Sequence, residues 1–226
     1  NTHAAAVTAE LTTIIKAPSG KVIAHTSLPV ELPENGSDII KQTLEVKAPE
    51  LWGIKNPALY TAVTEVRSGN QLTDRYETTF GIRTFRWDEA TGFYLNGEPT
   101  KVLGVCLHHD LGCLGTAVNK RAIERQLQIM KDMGVNAIRT SHNPPAPELL
   151  ELCDRMGLLV QDESFDMWRK RKSPYDYAQY FDEWHERDLT DQIKRDRNHA
   201  SVFMWSIGNE VLEQWSHADA DTLSLQ

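Results

Sequence analysis

The sequence predicts a two-part chain: an all-β, immunoglobulin-like sandwich over residues 1–88, then a parallel β/α unit over residues 89–226. Three observations predict it. Short β-branched runs separated by turn formers fill the first part, without a helical period. From Lys101 onward, strand-length apolar runs alternate with amphipathic helix-length segments, the rhythm of a parallel sheet with right-handed crossovers. The run Val202 to Ile207 is apolar enough to be buried on both faces, as parallel strands are, and Gly208-Asn209-Glu210 breaks it off.

In the first part, Leu11–Ile15, Lys21–Ala24, Thr43–Lys47 and Tyr60–Val66 read as strands. Pro18-Ser19-Gly20, Glu34–Ser37 and Ser68-Gly69-Asn70 separate them. No catalytic constellation appears there, and Trp52 and Tyr60 read as core. Gly92 to Pro99 then carries Asn96-Gly97 between apolar-alternating arms, a strong hairpin signal.

Val102–Cys106 is the next strand. Asn119 can cap a helix whose Ile123, Leu127 and Met130 share a face and which Gly134 closes. Val135–Arg139 is a strand, and Leu149, Cys153 and Met156 line a helix that stops at Gly157. Leu158–Asp162 follows as a strand. A long helix over Ala178–Arg195 is expected to bury Phe181, Trp184, Leu189 and Ile193.

Composition is that of an ordinary globular protein, 40% hydrophobic and 25% charged. A net charge of −8 argues against a nucleic-acid surface, which needs clustered cations. The basic run Arg169-Lys170-Arg171-Lys172 reads as solvated loop. No apolar stretch approaches the roughly 20 residues of a membrane span. Cys106, Cys113 and Cys153 lack metal-binding spacing and read as reduced, partly buried thiols.

Each predicted strand in the second part ends on polar residues. His108, His109 and Asp110 follow the first; Arg139, Ser141, His142 and Asn143 the second. Asp162, Glu163, Asp166 and Trp168 follow the third, and Asn209 and Glu210 the fourth. Singly, each has a dull explanation: the histidines could cap loops, and Asp162-Glu163 could be a solvated pair. Jointly they form a rim at the C-terminal ends of parallel strands, where catalytic groups gather. A partly buried Glu210 beside an orienting amide would suit general-acid chemistry.

Arg195-Asp196-Arg197-Asn198-His199-Ala200-Ser201-Val202, followed by Trp205-Ser206-Ile207-Gly208-Asn209-Glu210, closely resembles the acid/base signature of glycoside hydrolase family 2. Gly104–Asp110, Asn136–Pro145 and Leu152–Glu163 resemble that family's first three barrel-strand motifs, in order. Leu51-Trp52, Asn56-Pro57 and Leu59-Tyr60 resemble an element of its sandwich domain, and the Gly92–Pro99 hairpin resembles its lid over the barrel floor. By that resemblance the second part is the first four β/α units of a (β/α)8 TIM barrel rather than a small doubly wound domain. It implies hydrolysis of a terminal β-linked sugar with retention, most simply by a β-galactosidase, with β-glucuronidase and β-mannosidase as alternatives. Glu210 would be the acid/base and Asn209 would hold the sugar's 2-hydroxyl. His108, Arg139, His142, Asp166 and Trp168 would bind substrate, Trp168 by offering a flat face to a sugar ring.

The family's nucleophile glutamate belongs to strand seven, so the expectation is a fragment, inactive alone, with open strand edges prone to self-association. Some β-galactosidases bind Mg²⁺ through a glutamate and a histidine past the third strand. Asp166 and Trp168 stand at those places, and because tryptophan cannot ligate a hard cation, the expectation is no metal and no cofactor. A non-catalytic carbohydrate-binding or scaffold protein is the competing reading. A complete small α/β enzyme ranks last, for want of a phosphate loop or a serine elbow. Periplasmic, secreted and cytoplasmic placements all remain open.

Overall fold

A computed structural model describes residues 1–215. Residues 216–226 of the expected barrel segment lie outside the described residues. The chain divides into two compact units, Asn1–Trp52 with Ala58–Ile82, and Gly53–Pro57 with the chain from Arg83 onward.

The first unit is a sandwich-type antiparallel sheet of β1 (Val7–Lys16), β2 (Val22–Leu32), β3 (Tyr60–Ser68) and β4 (Gln71–Phe80), in the order β2-β1-β3-β4. Ala9, Ile15, Val30, Trp52, Tyr60 and Val63 are its buried apolar residues. Strand β4 carries no apolar alternation. Its pairing with β3 makes it a strand, with Arg75 opposite Glu65, and its charges suit an edge that must not recruit another chain. Thr43–Lys47, expected as a strand, lies in no ladder. Its alternation is real: Gln42, Leu44 and Val46 are half-buried between exposed neighbours. Only the Gln42 side chain is hydrogen-bonded to β1, through Thr13 Oγ1 at 2.6 Å and the Leu11 carbonyl at 3.3 Å. Periodicity reports which side chains are covered, and here the backbone did not follow.

The second unit opens with a small antiparallel sheet of β5 (Phe85–Asp88), β6 (Gly92–Leu95) and β7 (Glu98–Pro99). Its Asn96-Gly97 turn has φ of +54° and +84°, as the two-residue hairpin predicted. A parallel sheet follows, built from β8 (Gly104–His108), β9 (Ala137–Ser141), β10 (Leu159–Glu163) and β11 (Val202–Ser206) in sequential order. Helices α1 (Lys120–Asp132), α2 (Pro147–Met156) and α3 (Phe181–Asp196) make the crossovers. This is the first half of a TIM barrel, and β8 and β11 are the sheet's edges among the described residues.

Local chemistry accounts for the helices. Asn119 Oδ1 accepts the Ala122 N–H at 3.0 Å and starts α1. Gly157, at φ +69°, ends α2 in the left-handed cap. A β-carbon there would come within 2.4 Å of the Ile54 carbonyl oxygen, so both backbone and space demand glycine. Leu127, Ile138, Leu150, Leu152, Leu158, Val160 and Val202 form the core between the sheet and its helices. Each such side chain contributes about 1.5–3 kcal/mol by burial.

Helix α3 departs from expectation. It begins at Phe181, after a 3₁₀ turn over Tyr177–Gln179 that Asp176 caps. Phe181 is buried, but Trp184 and Leu189 are only half-buried and Ile193 is exposed. The deeply buried residues are Gln192 and Asp196. Gln192 bridges Ser164 Oγ and Asp162 Oδ1, each at 2.7 Å, and Arg195 grips Asp196 through two bonds of 2.6 Å. The inner face of α3 is polar because its partners on and beside β10 are polar. Of the cysteines, Cys153 is buried, whereas Cys106 and Cys113 are exposed.

Candidate active site

In parallel register Gln161 lies opposite Arg139, and Glu163 lies opposite Ser206. Period-two alternation therefore puts Arg139, Gln161 and Glu163 on one face, while Val160 and Asp162 turn toward the helices. A register shift between Val160 and Gln161 reorients β11. Before it Val202 packs with Val160 in the helix-side core; after it Ser206 reaches the opposite face. One extra residue in a strand has this effect.

Glu163 is the hub. Its side chain is 0% exposed, and both carboxylate oxygens are occupied. Arg139 donates Nε to Oε2 at 2.9 Å and Nη2 to Oε1 at 3.0 Å. Ser206 Oγ donates to Oε2 at 2.7 Å, and His142 Nδ1 lies 2.6 Å from Oε1. The Glu163 N–H is bound in turn by Thr140 Oγ1 at 2.9 Å. A fork-to-fork Arg–carboxylate pair is the strong kind of ion pair, and it fixes direction as well as distance. Burial works against the Arg139 guanidinium, but its bonds to Glu163 prevail and raise its pKa.

From this hub the network reaches the tip of β11. Arg139 Nη2 also donates to Asn209 Oδ1 at 2.8 Å, and Asn209 Nδ2 donates to Asp166 Oδ1 at 2.9 Å. Both ends of the Asn209 amide are thus fixed, and its backbone N–H bonds the Phe165 carbonyl at 2.9 Å. Lys172 Nζ donates to Asp166 Oδ1 at 3.0 Å and to the Asn209 carbonyl at 2.9 Å. Burial pushes the Asp166 carboxyl up, but hydrogen bonds from Asn209 and Lys172, with the Lys172 charge, outweigh it and hold the group below its ordinary value.

Glu210 stands apart. Its side chain is 71% exposed and 3.5 Å from Lys172 Nζ, so the expected partial burial is not found. Its φ is +45°, a strained conformation for a non-glycine residue that concentrates at functional sites. Gly208 makes the preceding turn possible by its size. A β-carbon there would meet Val211 Cγ2 at 2.6 Å and Trp168 Nε1 at 2.8 Å.

Trp168 does not offer its face to a sugar. It is 4% exposed, packs with Phe165, Phe181 and Val211, and donates Nε1–H to the Ile207 carbonyl at 2.8 Å. An apolar residue beside a glycine-tight turn was captured by the core. His108 lies edge-on to His142, ring centroids 5.1 Å apart. His109 turns away to the Thr116 carbonyl at 2.9 Å. Asp162 and Glu163 are both fully buried and are not a solvated pair. Among the described residues no group of three or more His, Cys, Asp or Glu side chains is arranged to hold a metal ion, and no helix is long and apolar enough to cross a membrane.

The structure brings Arg139, His142, Asp166, Asn209 and Glu210 to one place around two residues that sequence reasoning undervalued. Glu163 carried a signal only in the polar run Gln161-Asp162-Glu163 that ends β10. Lys172 was absorbed into a charge run taken as solvated, yet its side chain is 21% exposed and turned inward. The segment of residues 195–201 is itself architectural. His199 Nδ1 lies 2.6 Å from Asp154 Oδ2, the Ser201 N–H bonds Asp154 Oδ1 at 2.8 Å, and Arg83 caps the carbonyls of Ala200 and Val202.

Comparison with known proteins gives the same family. Residues 89–224 match the model "Glycosyl hydrolases family 2, TIM barrel domain", and residues 1–83 match "Glycosyl hydrolases family 2". A β-galactosidase of Bacteroides ovatus is 64% identical over 207 residues, covering 92% of this chain and 24% of that protein. A β-glucuronidase of Bacteroides fragilis is 31% identical over 220 residues, covering 93% and 31%. The crystal structure of a family 2 member from Bacteroides cellulosilyticus superposes with a TM-score of 0.92 at 42% identity, covering 97% of this chain and 28% of that one. The chain belongs to glycosyl hydrolase family 2, and it spans about a quarter of the length of these relatives.

Proposed function

We propose that the protein carrying this chain is a retaining exo-β-glycosidase that removes terminal β-linked sugars, with β-galactosides as the preferred class. The observation that carries this reading is the contrast among the strand-tip carboxylates. Glu163 and Asp166 are held by hydrogen bonds, whereas Glu210 is exposed on a strained turn, with its carboxylate open to a ligand.

In this reading Glu210 protonates the glycosidic oxygen as the bond to the anomeric carbon breaks, then takes a proton from the water that releases the sugar. Asn209 faces the sugar's 2-hydroxyl. Its oxygen and nitrogen each have one bond within the protein and retain capacity for another. That contact strengthens as the ring approaches the oxocarbenium-like transition state. His108, His142, Arg139 and Asp166 supply the polar floor. Retention requires a second carboxylate about 5 Å from the first as nucleophile. Neither Glu163, saturated by Arg139, His142 and Ser206, nor Asp166, tied to Lys172 and Asn209, is free to attack. The 226-residue polypeptide by itself is therefore expected to show no turnover, and its exposed strand edges to favour self-association.

The B. ovatus relative favours galactose, and the B. fragilis relative favours glucuronate as the second reading. Nitrophenyl β-galactoside and β-glucuronide, assayed with the gene product as encoded, separate the two. Removing the acid/base in Glu210→Gln should lower kcat by about 10²–10⁴. Absence of turnover on any β-glycoside, with sugar binding retained, would move the reading to a carbohydrate-binding scaffold.

A further inference from the structure

We propose that Lys172 is a positioning residue for the acid/base, a built-in cation that clamps the Asn209–Glu210 turn between Asp166 and the Glu210 carboxylate; this rests on the glycosidase reading above.

Three oxygens converge on one ammonium: Asp166 Oδ1 at 3.0 Å, the Asn209 carbonyl at 2.9 Å and Glu210 Oε2 at 3.5 Å. Two of the three ammonium protons are given to Asp166 and Asn209, and the third can turn toward Glu210 at ion-pair distance. Two of the oxygens belong to consecutive residues of the turn on which Glu210 sits at φ +45°. A strained turn persists only when its surroundings hold it, and the bond to the Asn209 carbonyl is a direct hold on the peptide that leads into Glu210.

The lysine is itself held. Asp176 Oδ2 accepts the backbone N–H of Lys172 at 2.7 Å and of Ser173 at 2.8 Å, while Asp176 Oδ1 takes the Ala178 N–H at 3.1 Å. The bond from Ser173, with those from Lys172 and Ala178, keeps the Asp176 carboxyl below its ordinary value and ionised. The two arginines of the run are engaged elsewhere. Arg169 Nε bonds Asp182 at 2.6 Å with its guanidinium over the Phe181 ring, and Arg171 bonds the Pro174 carbonyl at 3.3 Å. Within the run it is Lys172 that enters the site.

The positions of Asp166 and Asn209 require this charge as well. Asp166 Oδ1 receives both Asn209 Nδ2 and Lys172 Nζ. The same contact therefore orients the amide that faces the sugar and the carboxylate that faces the leaving group. Without the ammonium, Asp166 and Glu210 would be two like charges flanking one turn, and the Glu210 side chain would lose its ion-pair partner there.

The test uses the gene product as encoded, with Lys172→Ala and Lys172→Arg beside Glu210→Gln. Each is assayed on a β-glycoside with a poor alkoxide leaving group and on its 2,4-dinitrophenyl analogue, whose departure needs no proton. If Lys172 acts through Glu210, Lys172→Ala lowers kcat about 10²-fold on the poor leaving group. The kcat/KM of the dinitrophenyl substrate, which reports the first step, then changes little, whereas on the poor leaving group KM moves far less than kcat. Added ethylammonium or propylammonium, small enough for the vacated space, should restore activity in Lys172→Ala. Lys172→Arg should retain part of it. Equal loss of kcat/KM on both substrates, or no rescue by alkylammonium while the thermal midpoint is unchanged, overturns the proposal. If Glu210→Gln itself shows no leaving-group dependence, the acid/base reading falls and the clamp falls with it. If Glu210→Gln shows it and Lys172→Ala does not, only the clamp falls.

Discussion

Two glutamates end neighbouring strands, and their surroundings are opposite. Glu163, at the end of β10, is 0% exposed and receives Arg139, His142 and Ser206. Glu210, past the end of β11, is 71% exposed and lies 3.5 Å from Lys172 Nζ. The same side chain is structural in one place and chemically available in the other. Burial with full hydrogen bonding fixes a carboxylate as a hub for its neighbours. Exposure on a strained turn leaves the Glu210 carboxylate open to a ligand, as the proposed acid/base role requires.

The comparison breaks first at Glu163. Replacement by Ala strands a guanidinium that is 30% exposed and removes the anchor of His142 and Ser206, so stability should fall by about 3 kcal/mol. Loss of activity should accompany the fall, because Asn209 is oriented through Arg139. Denaturant unfolding of the gene product as encoded checks this, and a loss of activity without a loss of stability would put Glu163 in the chemistry instead.

Gly208→Ala sharpens the other side. The added methyl meets Trp168 and Val211 inside ordinary contact, and overpacking of this kind costs about 1–3 kcal/mol. The strain falls on the turn that carries Glu210, so kcat should drop more than the stability loss explains. Thermal melts beside kinetics decide it.

A smaller effect concerns Asp162, on the helix side of β10. Burial, then the neighbouring Asp196 carboxylate, pushes its pKa up to about 7. The folded state thus holds a proton that the unfolded chain releases near pH 4. With the folded pKa raised, its stabilising contribution is complete below about pH 4 and is lost as pH rises toward 7. Asp162→Asn can still accept from Gln192 and cannot ionise. It should flatten the decline of the thermal midpoint between pH 5 and pH 8 and equal or exceed the parent at pH 8. An unchanged slope would show that the buried carboxyl does not titrate in that window.

The sequence was most informative where local chemistry and global fold agree. Asn119, Gly157 and the Asn96-Gly97 turn announced a cap, a stop and a hairpin, and each stands where expected. The four parallel strands were legible too, from strand-helix alternation, but their sequential order came from the resemblance to the family's barrel. Pairing without apolar alternation was not legible: β4 is a strand only through β3, and Thr43–Lys47 alternates without joining a ladder. Polar partners also hid. The inner face of α3 uses Gln192 and Asp196 where periodicity favoured Ile193, because burial there follows hydrogen bonding to Asp162 and Ser164. In the site, residue type drew attention to Trp168, which the core absorbed. A charge run concealed Lys172, since nothing in its neighbours marks it as the cation that reaches Asp166 and Asn209.

The most direct test of the central claim is to replace Glu210 by Ala in the gene product as encoded and supply azide with an activated aryl β-glycoside. Azide fits the vacated space and attacks without a general base. If Glu210 is the acid/base, azide raises turnover and NMR shows a β-glycosyl azide, the product of double displacement. An α-glycosyl azide would mark Glu210 as the nucleophile, and turnover that azide does not change would remove Glu210 from the chemistry.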